Sequence, residues 1–488
     1  MSPMLTTINF RSQPLLLTGA LAALFSVTGC NLTEIEPVLD PNNAIIESVL
    51  TNASQAQINA LAVGLEASLR LGHANNSSHN RVLGTLGREV TVQAATESRW
   101  YYELQGRRGA TQLPVIVLDD AAFYNGQYTD FARVGRAARV FRASAAGSPV
   151  LDAAQKRGID GFTRTYEALS KLHLLNLQGE NGIRVGLDGV TVDELLKPGK
   201  FVGSPEALTN IRQQLDQANT DLAAAGAAFG FPLSGGFAGF NTPATFIRFN
   251  RALAARVSLY QGDFAGTLTA LNASFYDRAG SLTLGPKMIF SPTTANDVGN
   301  PYFQASNALL SSLVSVPDNF VTEAEPGDQR LAKAPRRTTP QVVGAITGTY
   351  EAQVFPSQTS PLDIIRNEEL ILIAAEARVG TNDLAGSLLD INAIRTRAGN
   401  LAVLPAASLS GAAAYRDEIL AQRRYSLFYE GHYLVDLRRL NKLSAPPVVS
   451  PAIGARPAQT LAYSTTPYKL FPNLQRPAAE KAWDIANP

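Results

Sequence analysis

Apolar residues recur along most of this chain at the 3.6-residue spacing of an α-helix, and that recurrence constrains the fold more than any other feature. Between Asn52 and Leu69, the residues Ile58, Leu61, Ala62, Leu65 and Leu69 fall on one stripe. Residues 160–178 repeat the pattern with Phe162, Tyr166, Leu169, Leu172 and Leu175. Two further helices carry N-terminal punctuation. Ser204-Pro205-Glu206 and Thr242-Pro243 put a hydroxyl at the cap and proline in the first turn, where its missing N–H leaves no bond unmade. After the first start, Leu208, Ile211, Leu215 and Leu222 share a face, and Gly226 can end it. Between Cys30 and the first stripe, Glu34, Glu36, Pro37, Asp40 and Pro41 read as an acidic tether.

The second start leads through Phe246, Leu253 and Val257 to Tyr260, then Gln261-Gly262-Asp263 turns the chain into a partner helix, Phe264 to Leu271. Ala254, Ala255 and Ala265 permit close approach, so the pair looks like a tetratricopeptide-type hairpin, without the strict ~34-residue period of a regular array. Helices return late. Asp363 is expected to cap one from Ile364 to Val379. Thr381-Asn382-Asp383 starts another through Leu384, Leu388, Ile391 and Ile394, with Gly399 closing it. A third is predicted from Ala412 to Leu440. Residues 279–300 and 317–362, rich in Gly, Pro, Thr and Ser, read as long loops with a few short strands. The expected fold class is mainly α: paired helices with irregular, loop-rich insertions, forming a single domain over residues 46–488.

The N-terminus has its own logic. Arg11 is the only charge before Cys30, and an apolar run from Pro14 to Ser26 follows it. That run is too short for a bilayer span, which takes ~20 residues, but it suits a signal-peptide core. Val27-Thr28-Gly29-Cys30 then places small residues before a thiol and resembles the lipobox of bacterial lipoproteins. Cys30 is the sole cysteine of 488 residues, which excludes an internal disulfide framework and a thiolate zinc site. The expected organisation is a lipoprotein signal peptide at 1–29, a lipidated tether at 30–45, and the domain beyond. Net charge is only +1, so no basic face for nucleic acid is indicated.

Three motifs in the last third carry a family resemblance. Residues 365–377 (IRNEELILIAAEA), 389–399 (LDINAIRTRAG) and 422–439 (QRRYSLFYEGHYLVDLRR) resemble, in order, the signature helices of the SusD/RagB lipoproteins. The segment 249–263 is similar to that family's Ala-Arg-x-x-Leu-Tyr hairpin. Gln422 and Ser426 stand where the family usually has glutamates, and Tyr433 where it often has arginine. The resemblance implies a SusD-like helical scaffold that binds rather than catalyses. It implies capture of an oligosaccharide, or a peptide, at the outer membrane beside a TonB-dependent (SusC-like) barrel transporter. The alternatives are a non-catalytic protein–protein scaffold lipoprotein and a secreted glycan hydrolase. Glu376, Arg395, Arg397, Arg423, Glu430 and Asp436 within these motifs are expected to form inter-helix charge pairs rather than a catalytic set.

Sugar rings stack on flat aromatic faces while amides and guanidinia bind their hydroxyls. Arg99-Trp100-Tyr101-Tyr102 is the densest aromatic run, and Tyr124-Asn125-Gly126-Gln127-Tyr128 is a second cluster. Trp100, Tyr101, Tyr102, Tyr124 and Tyr128 are the candidate ligand-binding residues, with Tyr302, Phe303 and Phe320 behind them. The four histidines, His73, His79, His173 and His432, lack metal-ligand spacing, and His73 and His79 are expected to be solvated beside a polar loop. No catalytic residue, metal or cofactor is indicated.

Overall fold

A computed structural model describes residues 46–487, apart from 75–77, 107–116, 188–193, 195–196, 198, 294–296, 344–345 and 444–470. The expected leader and tether, Cys30 included, lie outside the described residues. From Ile46 onward the chain forms a compact unit.

Helices dominate it. The first are α1 (Ile46–Thr51), α2 (Gln55–Ala74), α3 (His79–Leu86) and a single turn, α4 (Arg99–Tyr102). The long scaffold helices follow: α5 (Gly126–Gly147), α6 (Ala153–Gln178), α7 (Ser204–Ala223), α8 (Pro243–Gln261) and α9 (Phe264–Asn272). Then come α10 (Asp318–Thr322), α11 (Asn367–Gly380), α12 (Leu384–Arg397), α13 (Gly411–Ser426), α14 (Tyr433–Arg439) and α15 (Ala478–Ala486). Each scaffold helix packs on the next: α2 on α5, α5 on α6, α6 on α7, α7 on α8, α8 on α9, α9 on α11, and α11 on both α12 and α13.

The apolar stripes become the seams of this stack. Ile58, Ala62, Leu65 and Leu69 are buried on α2, and Phe162, Tyr166, Leu169, Leu172 and Leu175 on α6. Phe162 lies at the centre of an aromatic cluster, 4.8 Å from Phe231, 5.3 Å from Phe246 and 6.3 Å from Phe141 between ring centroids. Burying each such side chain stabilises by roughly 1.5–3 kcal/mol. Caps set the helix starts. Asp152 and Gln155 form a reciprocal capping box on α6, and Thr242 with Thr245 does the same on α8. Gly262 then takes a left-handed φ of 75°, where glycine carries no Cβ penalty, and turns the chain into α9.

Several expected boundaries move. Gly203, not Ser204, is the residue before α7, and the helix stops at Ala223, ahead of Gly226. Asp363 does not cap α11. It sits in a short strand, with its carboxylate on Lys287, and Arg366 takes the cap position. The single helix expected over 412–440 is two helices. Tyr429 at φ 63° and Gly431 at φ 81° break the ladder between α13 and α14.

The strands are few and short. β1 (Thr91–Ala94), β5 (Ser312–Val316), β7 (Ile346–Glu351) and β6 (Arg336–Val343) form an antiparallel sheet in that spatial order. β2 (Ile183–Val185) pairs with β3 (Lys200–Val202), and β4 (Lys287–Met288) with β8 (Leu362–Asp363). The loop-rich middle thus folds back on the N-terminal segment through β1 and β5. Arg337 and Glu351, each with only 1% of the side chain exposed, pair inside this sheet.

Candidate functional site

The charged residues of the last helices are structural. Arg423 donates to Asp436 at 2.6 Å, linking α13 to α14. Arg395 of α12 donates to Glu418 at 3.1 Å and to Glu325 at 2.8 Å. Glu376 of α11 accepts from Arg439, and Glu430 from Arg366. Arg256 of α8 forms a bidentate pair with Glu369 of α11, at 2.7 and 2.6 Å. Burial alone would raise the Glu369 pKa. Arg256 more than offsets it and holds the carboxyl at about 2. Arg397 differs from the others: it donates to the backbone carbonyls of Arg278 and Gly280. Each of these groups is committed to another part of the fold, so none is placed to do chemistry on a ligand.

The two positions that depart from the usual glutamates remain polar and paired. Gln422 donates to Glu418 at 2.8 Å, and the Ser426 hydroxyl accepts from Arg330 at 3.0 Å.

The early aromatic run forms α4 and packs inward. Trp100 and Tyr101 are buried and Tyr102 is half-buried. Trp100 meets Phe123 edge-on at 5.1 Å, and Arg99, held by Glu97, lies 5.1 Å over the Phe123 ring. Tyr124 is fully buried. Its hydroxyl donates to Glu103 at 2.8 Å and accepts from the Asp119 N–H at 2.9 Å. Burial and the Glu103 bond raise its pKa, so the hydroxyl stays a donor. Of the five candidate aromatics, only Tyr102 is half-buried, and only Tyr128 lines an open groove between α5 and α6.

The histidines depart from expectation. His73 and His79 are not solvated. All four histidines line one small cavity of about 30 Å³, room for little more than water. His79 Nε2 lies 3.1 Å from His173 Nδ1, and His73 Nδ1 lies 3.1 Å from the Tyr302 hydroxyl. His173 also stacks on Phe131 at 4.6 Å. Burial pushes His73 down to about 3 and His432 to about 4, and holds His79 and His173 well below the usual value. Among the described residues, no group of three or more His, Cys, Asp or Glu side chains is arranged to hold a metal ion.

A much larger open cavity lies elsewhere. A groove of about 520 Å³ runs between α5 and α6, bordered by β2 and by the C-terminal helix α15. That volume falls within the ~300–1,000 Å³ range of small-molecule sites. Tyr128, Ala132, Gly135, Arg136 and Arg139 enter it from one face of α5; Glu167, Ser170, Lys171 and Leu174 enter it from α6. Tyr128 is the one sequence-proposed aromatic in this wall. Burial, reinforced by the charge of Glu480, raises its pKa and keeps the hydroxyl protonated. The aromatic that sequence reasoning missed is Trp483, 43% exposed at the rim. Ion pairs seat α15: Arg184 bonds Glu480 at 2.5 Å and Asp484 at 2.7 Å, and Lys481 bonds Asp120 at 2.8 Å. No side chain of α15 is buried, so charge rather than apolar packing holds it in place. Two smaller cavities, of about 400 and 330 Å³, present no tryptophan.

Stacked helix pairs, a small sheet and an open groove define a helical-scaffold fold. Residues 346–476 match the SusD family. A SusD superfamily protein from Bacteroides vulgatus shares the fold at 17% identity and TM-score 0.62, over 88% of this chain and 97% of that one. A SusD-like carbohydrate-binding protein from the same species matches at 15% identity and TM-score 0.57, over 79% and 83%. A laminarin-binding SusD-like protein matches at 18% identity and TM-score 0.52, over 80% and 92%. No curated protein matches the chain in sequence. The family match thus covers the C-terminal part of the chain, and the fold as a whole is shared with SusD-like proteins. Among the described residues, no helix is long and apolar enough to cross a membrane.

Proposed function

We propose that this protein is a lipid-anchored outer-membrane capture protein that binds an oligosaccharide and passes it to a TonB-dependent barrel transporter. The observation that supports it most is a SusD fold extending over most of the chain, shared with proteins described as carbohydrate-binding and laminarin-binding. The organisation that goes with this reading is a signal peptide at 1–29, a tether at 30–45 acylated on Cys30, and a capture domain at 46–488. Capture needs no covalent step: a bound sugar raises its own concentration at the transporter mouth. The buried charges of the late helices lock the scaffold, and an open groove with an exposed tryptophan leaves a surface for a ligand.

Affinity purification of the tagged protein from its native membrane, followed by mass spectrometry of protein and glycan, tests this. The expected result is a barrel partner together with bound saccharide. A barrel without saccharide under all growth conditions supports the scaffold alternative instead. For the anchor, Cys30→Ser should abolish incorporation of labelled fatty acid; labelling that persists contradicts acylation at Cys30.

A further inference from the structure

The groove between α5 and α6 carries a local excess of positive charge that the rest of the chain does not share. Six basic side chains line it, Arg133, Arg136, Arg139, Lys171, Arg184 and Lys197, against two carboxylates, Glu167 and Glu480. The whole chain has a net charge of only +1, so the excess belongs to this site.

The two carboxylates are already engaged. Glu167 is fully buried and shared among Arg139 at 3.2 Å, Arg142 at 3.1 Å and Lys171 at 3.5 Å, three cations to one anion. Glu480 is bound to Arg184. Arg133 has only an i,i+3 partner, Asp130 at 3.5 Å, and is 72% exposed. Arg136 is exposed on the groove face of α5 and forms no ion pair among the described residues. Cations left uncompensated in a concave site attract anions and bind carboxylates with directional N–H donors.

Apart from Thr129 and Ser170, the remaining lining is largely apolar. Trp483, Tyr128, Leu174, Ala132 and Ala479 share the cavity with the cations. A phosphate or sulfate ion would leave those surfaces unused. A sugar ring that carries a carboxylate uses both: its C–H face packs on the indole while its acid group meets a guanidinium.

We propose that this groove binds the carboxylate-bearing rings of an acidic oligosaccharide of the uronate class, with Arg136 as a carboxylate ligand and Trp483 as the stacking platform. This rests on the oligosaccharide-capture reading and narrows its substrate class.

The chain has two tryptophans, and Trp100 is buried, so a change in indole fluorescence on binding reports mainly on Trp483. The purified chain is titrated with trigalacturonate, with the neutral galactotriose of equal length, and with inorganic phosphate, by calorimetry and by fluorescence. Trigalacturonate should bind with a fluorescence change, at least about tenfold more tightly than galactotriose, and should weaken as salt is raised. Arg136→Gln should lower the trigalacturonate affinity about tenfold, Arg136→Lys should recover part of the loss, and Trp483→Ala should remove the fluorescence change and weaken binding. Both positions are surface-exposed, and an unchanged circular dichroism melt confirms that each variant is folded. Phosphate competing as well as trigalacturonate would mark a general anion site and overturn the proposal, as would trigalacturonate affinity untouched by both substitutions. A neutral oligosaccharide that binds regardless of either substitution overturns the acidic groove while leaving the capture reading intact. No binding by any saccharide class overturns both.

Discussion

Replacing His73 by Asn should make the protein less sensitive to acid. His73 is 4% exposed, and its imidazole is held near a pKa of about 3 by burial, against an ordinary value near 6.5. Its folded pKa is depressed, so folding favours the neutral ring. The stability tied to that ring is complete above the unfolded value of about 6.5 and is lost as pH falls from there toward 3. At pH 5 the unfolded chain has passed its imidazole pKa by about 1.5 units while the folded chain still holds the ring neutral. At about 1.4 kcal/mol per unit, one histidine therefore costs about 2 kcal/mol between pH 7 and pH 5. His432, held at about 4 by burial, adds a cost of the same sign, and His79 and His173, which share the cavity, are shifted in the same direction. Glu89, raised to about 8 by burial, works the other way and recovers about 3 kcal/mol over the same interval. The balance still favours unfolding in acid. Asn at position 73 can keep a polar partner for the Tyr302 hydroxyl without titrating. Urea unfolding followed by circular dichroism at pH 7 and pH 5 should show His73→Asn losing about 2 kcal/mol less than the parent over that interval. The same loss in both proteins would show that His73 titrates normally when folded, and its burial would have to be abandoned.

Other consequences are as direct. Asp436→Ala leaves Arg423 charged and buried without its carboxylate, so it should cost about 3–5 kcal/mol in urea unfolding, and the double change Arg423→Met with Asp436→Leu should recover most of it. Thr242→Ala removes the capping box of α8 and should cost about 1 kcal/mol by the same measurement, with no effect on ligand binding. Lys481→Ala loosens one of the ion pairs that seat α15, so amide exchange in 478–486 should quicken while the scaffold helices stay protected.

The scaffold could be read from the sequence because its signals are local. The stripe on α6 and the Thr242 cap on α8 each lie within one or two turns of chain, where periodicity and capping decide the outcome. The boundary errors arose where a distant segment took over. Asp363 pairs with a strand some seventy-six residues earlier, so its carboxylate was unavailable as a cap. The charged residues of the late helices were correctly expected to be structural, but their partners were hidden. Arg256 meets Glu369 across 113 positions, and no local pattern links them.

The histidines failed for the same reason. A polar neighbourhood in sequence suggested solvent, yet α2, α3, α6 and the turn before α14 converge, burying His73 and His79 and half-burying His173 and His432. Aromatic density marks packing as readily as binding. Trp100 and Tyr124 each pack on Phe123, whereas Trp483 stands apart in a short C-terminal helix. A signal for it existed. Ala479, Ala482, Trp483 and Ala486 form a helical stripe beside acidic and basic residues, too small to bury much and suited to leaving one ring at a rim.

The central claim is non-covalent capture of an oligosaccharide. The purified chain should be screened against neutral and acidic oligosaccharides by calorimetry, with the sugars recovered and sized afterwards. Saturable binding of at least one class is expected, with every recovered chain at its original length. A chain that binds no saccharide, or that returns shortened ones, would contradict it.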